Sequence, residues 1–425
     1  MSTVLPMKPG TRKDFELSLD EIAREGARRL LVQALHLEVE EYIQQNKSEV
    51  DESGRRLVVR NGPGRPRTVT LGSGSVSVQA PRVDDRRDGE QFLSMILPPY
   101  LRKSPKVESL LPVLYLKGLS TNDFKSALAG FLGEGTMGLS PASIVKLKKI
   151  WESEFSLWEK RKITKKYVYI WADGVNVQVR LGEDKKVCLL VIIGATESGD
   201  KELLAVHPGY RESKDSWLAV LRSLIDRGMA APMLAIGDGA LGFWAAIRTC
   251  KGFEKTEEQR CWVHKIANVL DKLPKRLQPD AKGLLHDMMK AEKESDALKS
   301  RESFEKLYSE KYPKAVDCLV KSWSELTTFF HYPALHWQHI RTTNPIESSF
   351  ATVKLRTKVT KGAGSKETAA VMAFKLLNEC QRKWRKLRGH EEFTNLLKGL
   401  EYKDGVMITR ALSRFFVSQT FDANF

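Results

Sequence analysis

Two runs constrain this chain most: "KYVYIWADGVNVQVR" (166–180) and "KKVCLLVIIGAT" (185–196), both dense in β-branched and aromatic residues. Such side chains fit a pleated, half-buried surface, so both runs are expected to be strands. "SKDSWLAVLRSLIDRG" (213–228) follows as an amphipathic helix, with Trp217, Leu221, Leu224 and Ile225 on one side and Gly228 at its end. "APMLAIGD" (231–238) then reads as a short buried strand and "ALGFWAAIRTC" (240–250) as a helix. Strands joined by short links, then helix, strand and helix, make a mixed α/β sheet the expected core.

Beyond that sheet the texture changes. Residues 251–339 hold almost nothing strand-like, and "VHKIANVLDKLPK" and "KAVDCLVKSWSELTTFF" are helical in period and composition. "SKETAAVMAFKLLNECQRKWRKL" (365–387) carries Ala369, Met372, Ala373, Leu376, Leu377, Cys380 and Trp384 on one stripe. The sequence therefore predicts a sheet domain over 161–390, interrupted by an all-helical insertion at 251–339, with a tail at 391–425.

The N-terminal third divides again. Residues 14–46 alternate as an amphipathic helix, with Leu30, Leu31, Ala34, Leu35, Leu37 and Tyr42 on or near one side. Arg55, Arg56, Arg60, Arg65 and Arg67 then fall in a Gly- and Pro-punctuated stretch without an acid, and "SVSVQA" reads as a hairpin strand. Arg65 and Arg67 are candidates for a narrow minor groove, as in basic arms, although a solvated basic loop is the commoner explanation. A basic region over 1–104 is followed by a trihelical segment over 105–160, whose third helix opens at Ser140-Pro141 and carries Lys146, Lys148 and Lys149. That order fits a helix-turn-helix in a major groove, and it fits a plain three-helix bundle.

Charge bears on the partner. Lys and Arg outnumber Asp and Glu by 69 to 53, a net +16 that favours a polyanion through counterion release. Ribosomal and membrane-surface proteins share that excess. The five cysteines are odd in number and scattered, which points to a reducing compartment. No secretory signal pattern and no apolar run of membrane-spanning length is visible, so a cytoplasmic, nucleoid-associated location without a membrane is expected.

Three carboxylates stand out. Asp173 is read at the end of the first strand, where Asp-Gly is also a favoured hairpin turn. Asp238 ends the buried strand of "IGDGA", where an N-cap or turn role is the ordinary alternative. Glu347 lies in "RTTNPIESSF", with Asn344 read as N-cap and Pro345 in the first turn, which is where a capping-box carboxylate belongs. Together, two strand ends and a helix start can converge where active sites of α/β sheets form. Three hard oxygen ligands suit Mg²⁺, and two such ions would serve phosphodiester cleavage. Cys261 and His264 stand at C-x-x-H spacing, and two ligands alone do not make a zinc site, so a structural or DNA-positioning role is favoured. Arg341 is placed to hold a phosphate bidentately or to form an ordinary ion pair.

In "ADGVNVQVR", "IGDGALGFWAAI", "RCWVHKIANVLDKLPK" and "IRTTNPIESSFATVKLRT", in this order, the chain resembles the Mutator-like transposases of bacterial insertion sequences over roughly residues 90–390. That is a DDE group with a ribonuclease-H-like core. The resemblance implies Asp173, Asp238 and Glu347 as the metal-binding triad, with two Mg²⁺ ions for which Mn²⁺ substitutes. It implies the helical segment as an insertion before the Glu-bearing helix, and a homodimer acting on double-stranded DNA, both transposon ends and target. The expected activity is binding of terminal inverted repeats, strand cleavage and 3′-hydroxyl strand transfer. The competing expectations are a catalytically dead regulator derived from a transposase and a structure-selective nuclease without strand transfer. The intact triad weighs against the regulator.

Overall fold

The computed structural model describes residues 18–408, apart from 120–122, 133–140, 181–184, 210, 240 and 360. The chain forms two compact units that divide between Lys148 and Lys149.

In the first unit, α1 (Leu19–Gln45) opens with a capping box in which Ser18 Oγ accepts from Glu21 N–H and the Glu21 carboxylate accepts from Ser18 N–H. Leu35 and Val39 are its buried residues, with Leu31 and Val32 packed beside them. Leu30 and Leu37, expected near this stripe, are exposed, because the i, i+4, i+8 row from Leu31 runs through Leu35 and Val39. β1 (Val58–Pro63), β2 (Arg67–Leu71), β3 (Gly74–Val78) and β4 (Pro81–Asp85) form two antiparallel pairs, β2–β3 and β1–β4, and so confirm the hairpin reading. Val69, Val76 and Val78 cover Leu35. α2 (Pro105–Leu116) and α3 (Asp123–Leu132) pack Val107 and Leu111 on Phe124, Leu128 and Leu132. Ser140, where the third helix was expected to open, lies outside the described residues; α4 (Pro141–Glu159) crosses the division between the units.

The second unit is built on a five-stranded mixed sheet. Its elements in chain order are β5 (Tyr167–Gln178), β6 (Lys186–Thr196), β7 (Lys201–Gly209), α5 (Lys214–Asp226), β8 (Leu234–Gly237), α6 (Leu241–Thr249) and β9 (Glu257–Arg260). The strand order is β7-β6-β5-β8-β9, with antiparallel pairing from β5 through β7 and parallel pairing from β5 through β9. A helical block follows: α7 (Trp262–Leu270), α8 (Gln278–Lys290), α9 (Glu294–Tyr308), α10 (Pro313–Val320), α11 (Trp323–Thr327) and α12 (Trp337–Ile340). α13 (Asn344–Val359) and α14 (Lys366–Gln381) return to the sheet.

Two expectations need correction. β5 does not end or turn at Asp173-Gly174: it runs straight through, with Asp173 opposite Val191 and Gly174 opposite Leu190. Gly174 is not among the glycines with positive φ, so the backbone has none of the left-handed geometry a tight Asp-Gly hairpin requires. The segment read as all-helical also contains β9. Its sequence, "EEQR", offers no apolar pattern, and its place is set by the parallel ladder to β8 and by Gln259, whose amide donates to the Leu326 carbonyl and accepts from Phe329 N–H.

Both faces of the sheet are covered. On one, Ile170, Ala172, Leu190 and Ile192 meet Trp217, Val220, Leu221 and Leu224 of α5 and Phe243, Ala246 and Ile247 of α6. α13 and α14 pack against the sheet at β5 and β7. Tyr169 and Trp171 have the opposite parity along β5, so they face away from α5 and α6. There Trp171 Nε1 donates to the His339 carbonyl at 2.9 Å, and Tyr169 Oη meets His336 Nδ1 at 2.7 Å. His336 is therefore a packed core histidine, and Trp244, Trp262 and Trp337 are buried core residues too. All five cysteines are free, and among the described residues no helix is long and apolar enough to cross a membrane.

Candidate active site

Strand register brings the first two carboxylates together. The last parallel ladder pair between β5 and β8 is Trp171 with Ile236. Asp173 and Asp238 each stand two places beyond it, so they are neighbours where the two strands stop pairing. Period two gives Asp173 the face of Tyr169 and Trp171, on which α12, just before α13, is fastened through the His339 carbonyl. Register also places the third parallel strand: Cys261 follows β9, and its N–H donates to the Gly237 carbonyl at 2.7 Å. The carboxyl ends of parallel strands thus supply Asp238 and Cys261, with Asp173 beside them, in the usual location for an α/β site.

α13 begins at this same place. The Thr343 carbonyl accepts from Ile346 N–H at 2.9 Å and from Glu347 N–H at 3.0 Å, which makes Thr343 the N-cap in place of Asn344. No capping box forms. Thr343 N–H donates to Cys261 Sγ at 3.3 Å, not to the Glu347 carboxylate. The Thr343 hydroxyl instead donates to Glu347 Oε1 and lies 3.3 Å from Cys261 Sγ. His264 Nδ1 stands 3.6 Å from Glu347 Oε1. Glu347 is therefore held by a threonine hydroxyl and an imidazole, and it is not a capping-box carboxylate.

The electrostatics belong to crowded like charges. Burial, then the nearby Asp238 carboxylate, push the Asp173 carboxyl from its ordinary 3.8 up to about 7; Glu212 adds to the shift, while the Gly174 N–H and His264 oppose it. Gly174 N–H donates to Asp173 Oδ1 at 2.7 Å. His264 is pushed up to about 9, first by its hydrogen bond to Cys261 and then by the Cys261, Glu347 and Asp173 charges, against burial. An imidazolium beside several carboxylates offsets part of their repulsion.

Glu212 escaped the sequence reading. It precedes the α5 N-cap Ser213, and its Oε2 is buried without a hydrogen-bond partner. Burial and Asp238 raise its carboxyl above the ordinary value. The residue beneath it is Gly174, where a Cβ would come within 2.7 Å of Glu212 Cδ and 2.9 Å of Cys188 Sγ. "GYRESKDSW" gave one weak signal, an acid just before a helix cap. Thr343 was visible in the motif around Glu347, but nothing in that motif alone gives it a role.

The remaining candidates separate by environment. Arg55, Arg56, Arg60 and Arg65 are exposed, as are Lys146 and Lys149, with Lys148 partly so. Arg67 differs: its Nη2 donates to the carbonyls of Leu97, Pro98 and Leu101, so it cross-links its own unit. The Arg341 guanidinium lies 4.4 Å from the Phe329 ring centre and 4.7 Å from that of Trp337, and burial lowers it to about 10. Cys261, His264 and Glu347 bring one ligand atom each within 4.8 Å of one another.

Comparison with known proteins decides the family. The model of the Mutator family of transposases matches residues 6–387. This chain belongs to the Mutator family of transposases. A relative from Mycolicibacterium smegmatis, the transposase for insertion sequence element IS6120, is 46% identical over 305 residues, covering 72% of this chain and 93% of the relative. The transposase for insertion sequence element IST2 of Acidithiobacillus ferrooxidans is 44% identical over 283 residues, covering 66% and 95%. The transposase for insertion sequence element IS256 in transposon Tn4001 of Staphylococcus aureus is 25% identical over 376 residues, covering 86% and 91%. The Mutator transposase fold described here thus carries Asp238 at the end of a parallel strand, Asp173 within the neighbouring strand and Glu347 at a helix start.

These residues fit a hard divalent cation. Burial first, and then the Asp238 and Glu212 carboxylates, push Asp173 up to about 7, and Glu212 Oε2 is buried without a donor. Added positive charge relieves both, and oxygen donors of this kind suit hard divalent cations.

Proposed function

We propose that this transposase binds the terminal inverted repeats of its insertion sequence, cuts the DNA strand there and joins the freed 3′ hydroxyl to target DNA. The observation that carries this reading is the register of β5 and β8, which seats Asp173 beside Asp238, with Glu347 held at the start of α13 by Thr343 and His264. The order β7-β6-β5-β8-β9, with a helical block between β9 and the Glu-bearing helix, supports a ribonuclease-H-like core with an insertion.

In this reading Asp173, Asp238 and Glu347 hold Mg²⁺, with Mn²⁺ able to substitute. The bound metal supplies Lewis acidity at the scissile phosphodiester. The chain supplies the rest. Thr343 and His264 orient the Glu347 carboxylate, and Cys261 fixes both by accepting from the Thr343 N–H and hydrogen bonding to His264. That makes Cys261 and His264 positioning residues. Exposed Arg55, Arg56, Arg60 and Arg65 of the first unit, with Lys146, Lys148 and Lys149 of α4, supply contacts to double-stranded DNA. Two ends must be joined, so the working form is a homodimer at the nucleoid.

The test is cleavage and joining of a labelled duplex carrying the element's end, with Mg²⁺, by wild type and Glu347→Gln. Wild type should cut and join, while the variant binds and melts normally but does neither. Cutting without joining would support a structure-selective nuclease, and binding without cutting by wild type a regulator.

A further inference from the structure

Behind the Asp238–Gly239 turn lies a cavity of about 770 Å³, bounded by α6, α7 and α10. Its inner wall is cationic. Lys265, on α7 next to His264, is only 2% exposed; its Nζ donates to the Cys318 carbonyl at 2.7 Å and to Ser322 Oγ at 2.9 Å. Arg260 donates through Nη1 to the same Ser322 hydroxyl at 2.7 Å, while its Nε is buried with no hydrogen-bond partner. Trp244 Nε1, also on this wall, is buried and unpartnered. Lys314 and Lys321 stand exposed at the rim.

No carboxylate among the described residues forms an ion pair with Arg260 or Lys265. Two carboxylates, Asp317 and Glu325, line the cavity among its basic residues, and Glu325 is engaged by Arg248. A buried lysine and a half-buried arginine that share one neutral acceptor are costly unless an anion completes them. Burial, then the Arg260 charge, lower Lys265 to about 8, with Cys318 and Glu325 opposing the shift. Position adds the second argument. The Arg260 guanidinium is packed so closely on Gly239 that a Cβ there would lie 2.6 Å from Nη2. Gly239 adjoins Asp238, and α7 carries His264 toward the acidic cluster and Lys265 into the cavity. The cavity and the triad are therefore back to back across one turn of chain.

We propose that this cavity is a phosphate-binding subsite, in which Arg260 and Lys265 grip backbone phosphates of the DNA strand flanking the scissile bond while Lys314 and Lys321 guide that strand in. The inference rests on the DNA reading given under Proposed function and adds a site to it. Its chemistry is that of guanidinium and ammonium donors toward phosphate oxygens.

The experiment measures affinity against salt for a duplex carrying the element's end, and for the same duplex with neutral methylphosphonates flanking the cleavage position. Wild type is compared with the rim double variant Lys314→Gln/Lys321→Gln, with Lys265→Met, and with a distant control, Lys366→Gln/Lys398→Gln. Every phosphate that a variant no longer neutralises flattens the slope of log affinity against log salt by about 0.9. The rim variant should lose close to two such increments and bind at least about tenfold more weakly at 0.15 M salt, with the control much less affected. On the methylphosphonate duplex, wild type and rim variant should converge. The rim residues are exposed, so thermal melting should be unchanged even where Lys265→Met perturbs the fold. A rim variant indistinguishable from the control, in a wild type that binds and cuts, overturns the subsite alone. A wild type that does not bind the end duplex overturns the DNA reading. If inorganic phosphate raises wild-type melting while methylphosphonates change nothing, the cavity takes a small free anion and the DNA assignment fails.

Discussion

Asp173→Asn removes a charge and keeps the shape, so it tests whether this carboxylate is a liability to the metal-free fold. Burial, with Asp238 and Glu212 nearby, moves the carboxyl from 3.8 to about 7. At about 1.4 kcal/mol per pH unit, keeping it ionised costs the folded chain on the order of 4 kcal/mol. The folded chain holds this proton more tightly than the unfolded chain. Its stabilising effect is therefore complete below about pH 4 and is lost as pH rises through about 7. Asn carries no such cost, and its Oδ1 can still accept from Gly174 N–H. By differential scanning calorimetry in chelator, the variant should melt with wild type near pH 4.5. At pH 8 it should melt several degrees higher, at about 2–4 °C per kcal/mol for a unit of this size. Mg²⁺ should raise wild type only and close the gap. A variant that melts below wild type at every pH would refute the reasoning and make Asp173 a structural hydrogen-bond acceptor.

Three further outcomes follow from the same geometry. Gly174→Ala has no room beside Glu212 and Cys188, so it should lose about 1–3 kcal/mol by denaturant titration and should lose cleavage with it. Thr343→Val keeps the helix start but removes the hydroxyl donor to Glu347; single-turnover cleavage should slow about 10- to 100-fold while DNA affinity is unchanged. Arg67→Met should lower the melting temperature of the first unit by removing three bonds to carbonyls, whereas exposed Arg65→Met should weaken DNA binding and leave melting unchanged.

Much of the sheet was legible because its strands are apolar on both faces. Asp238 was placed correctly, since a four-residue buried strand followed by Gly and a helix leaves few alternatives. Asp173 was mislocated because its strand continues past it against β6 alone, and a one-sided extension leaves no mark in local composition. β9 was invisible for the opposite reason: its three charged residues are held by backbone pairing to β8, not by side-chain pattern. The helix start at Glu347 was found, but its cap was displaced by one residue. Local preference favours Asn344, and only Cys261, 82 residues earlier in the chain, decides that Thr343 takes the position. Glu212, Arg260 and Lys265 matter through neighbours that no short window contains.

The central claim is that Asp173, Asp238 and Glu347 hold the catalytic metal, while Cys261 and His264 only orient Glu347. Anomalous scattering from Mn²⁺ in crystals of the protein bound to an element-end duplex tests it directly. Manganese peaks should lie bounded by the Asp173, Asp238 and Glu347 carboxylates, with none on Cys261 Sγ. A peak enclosed by Cys261, His264 and Glu347, with the aspartates bare, would contradict it.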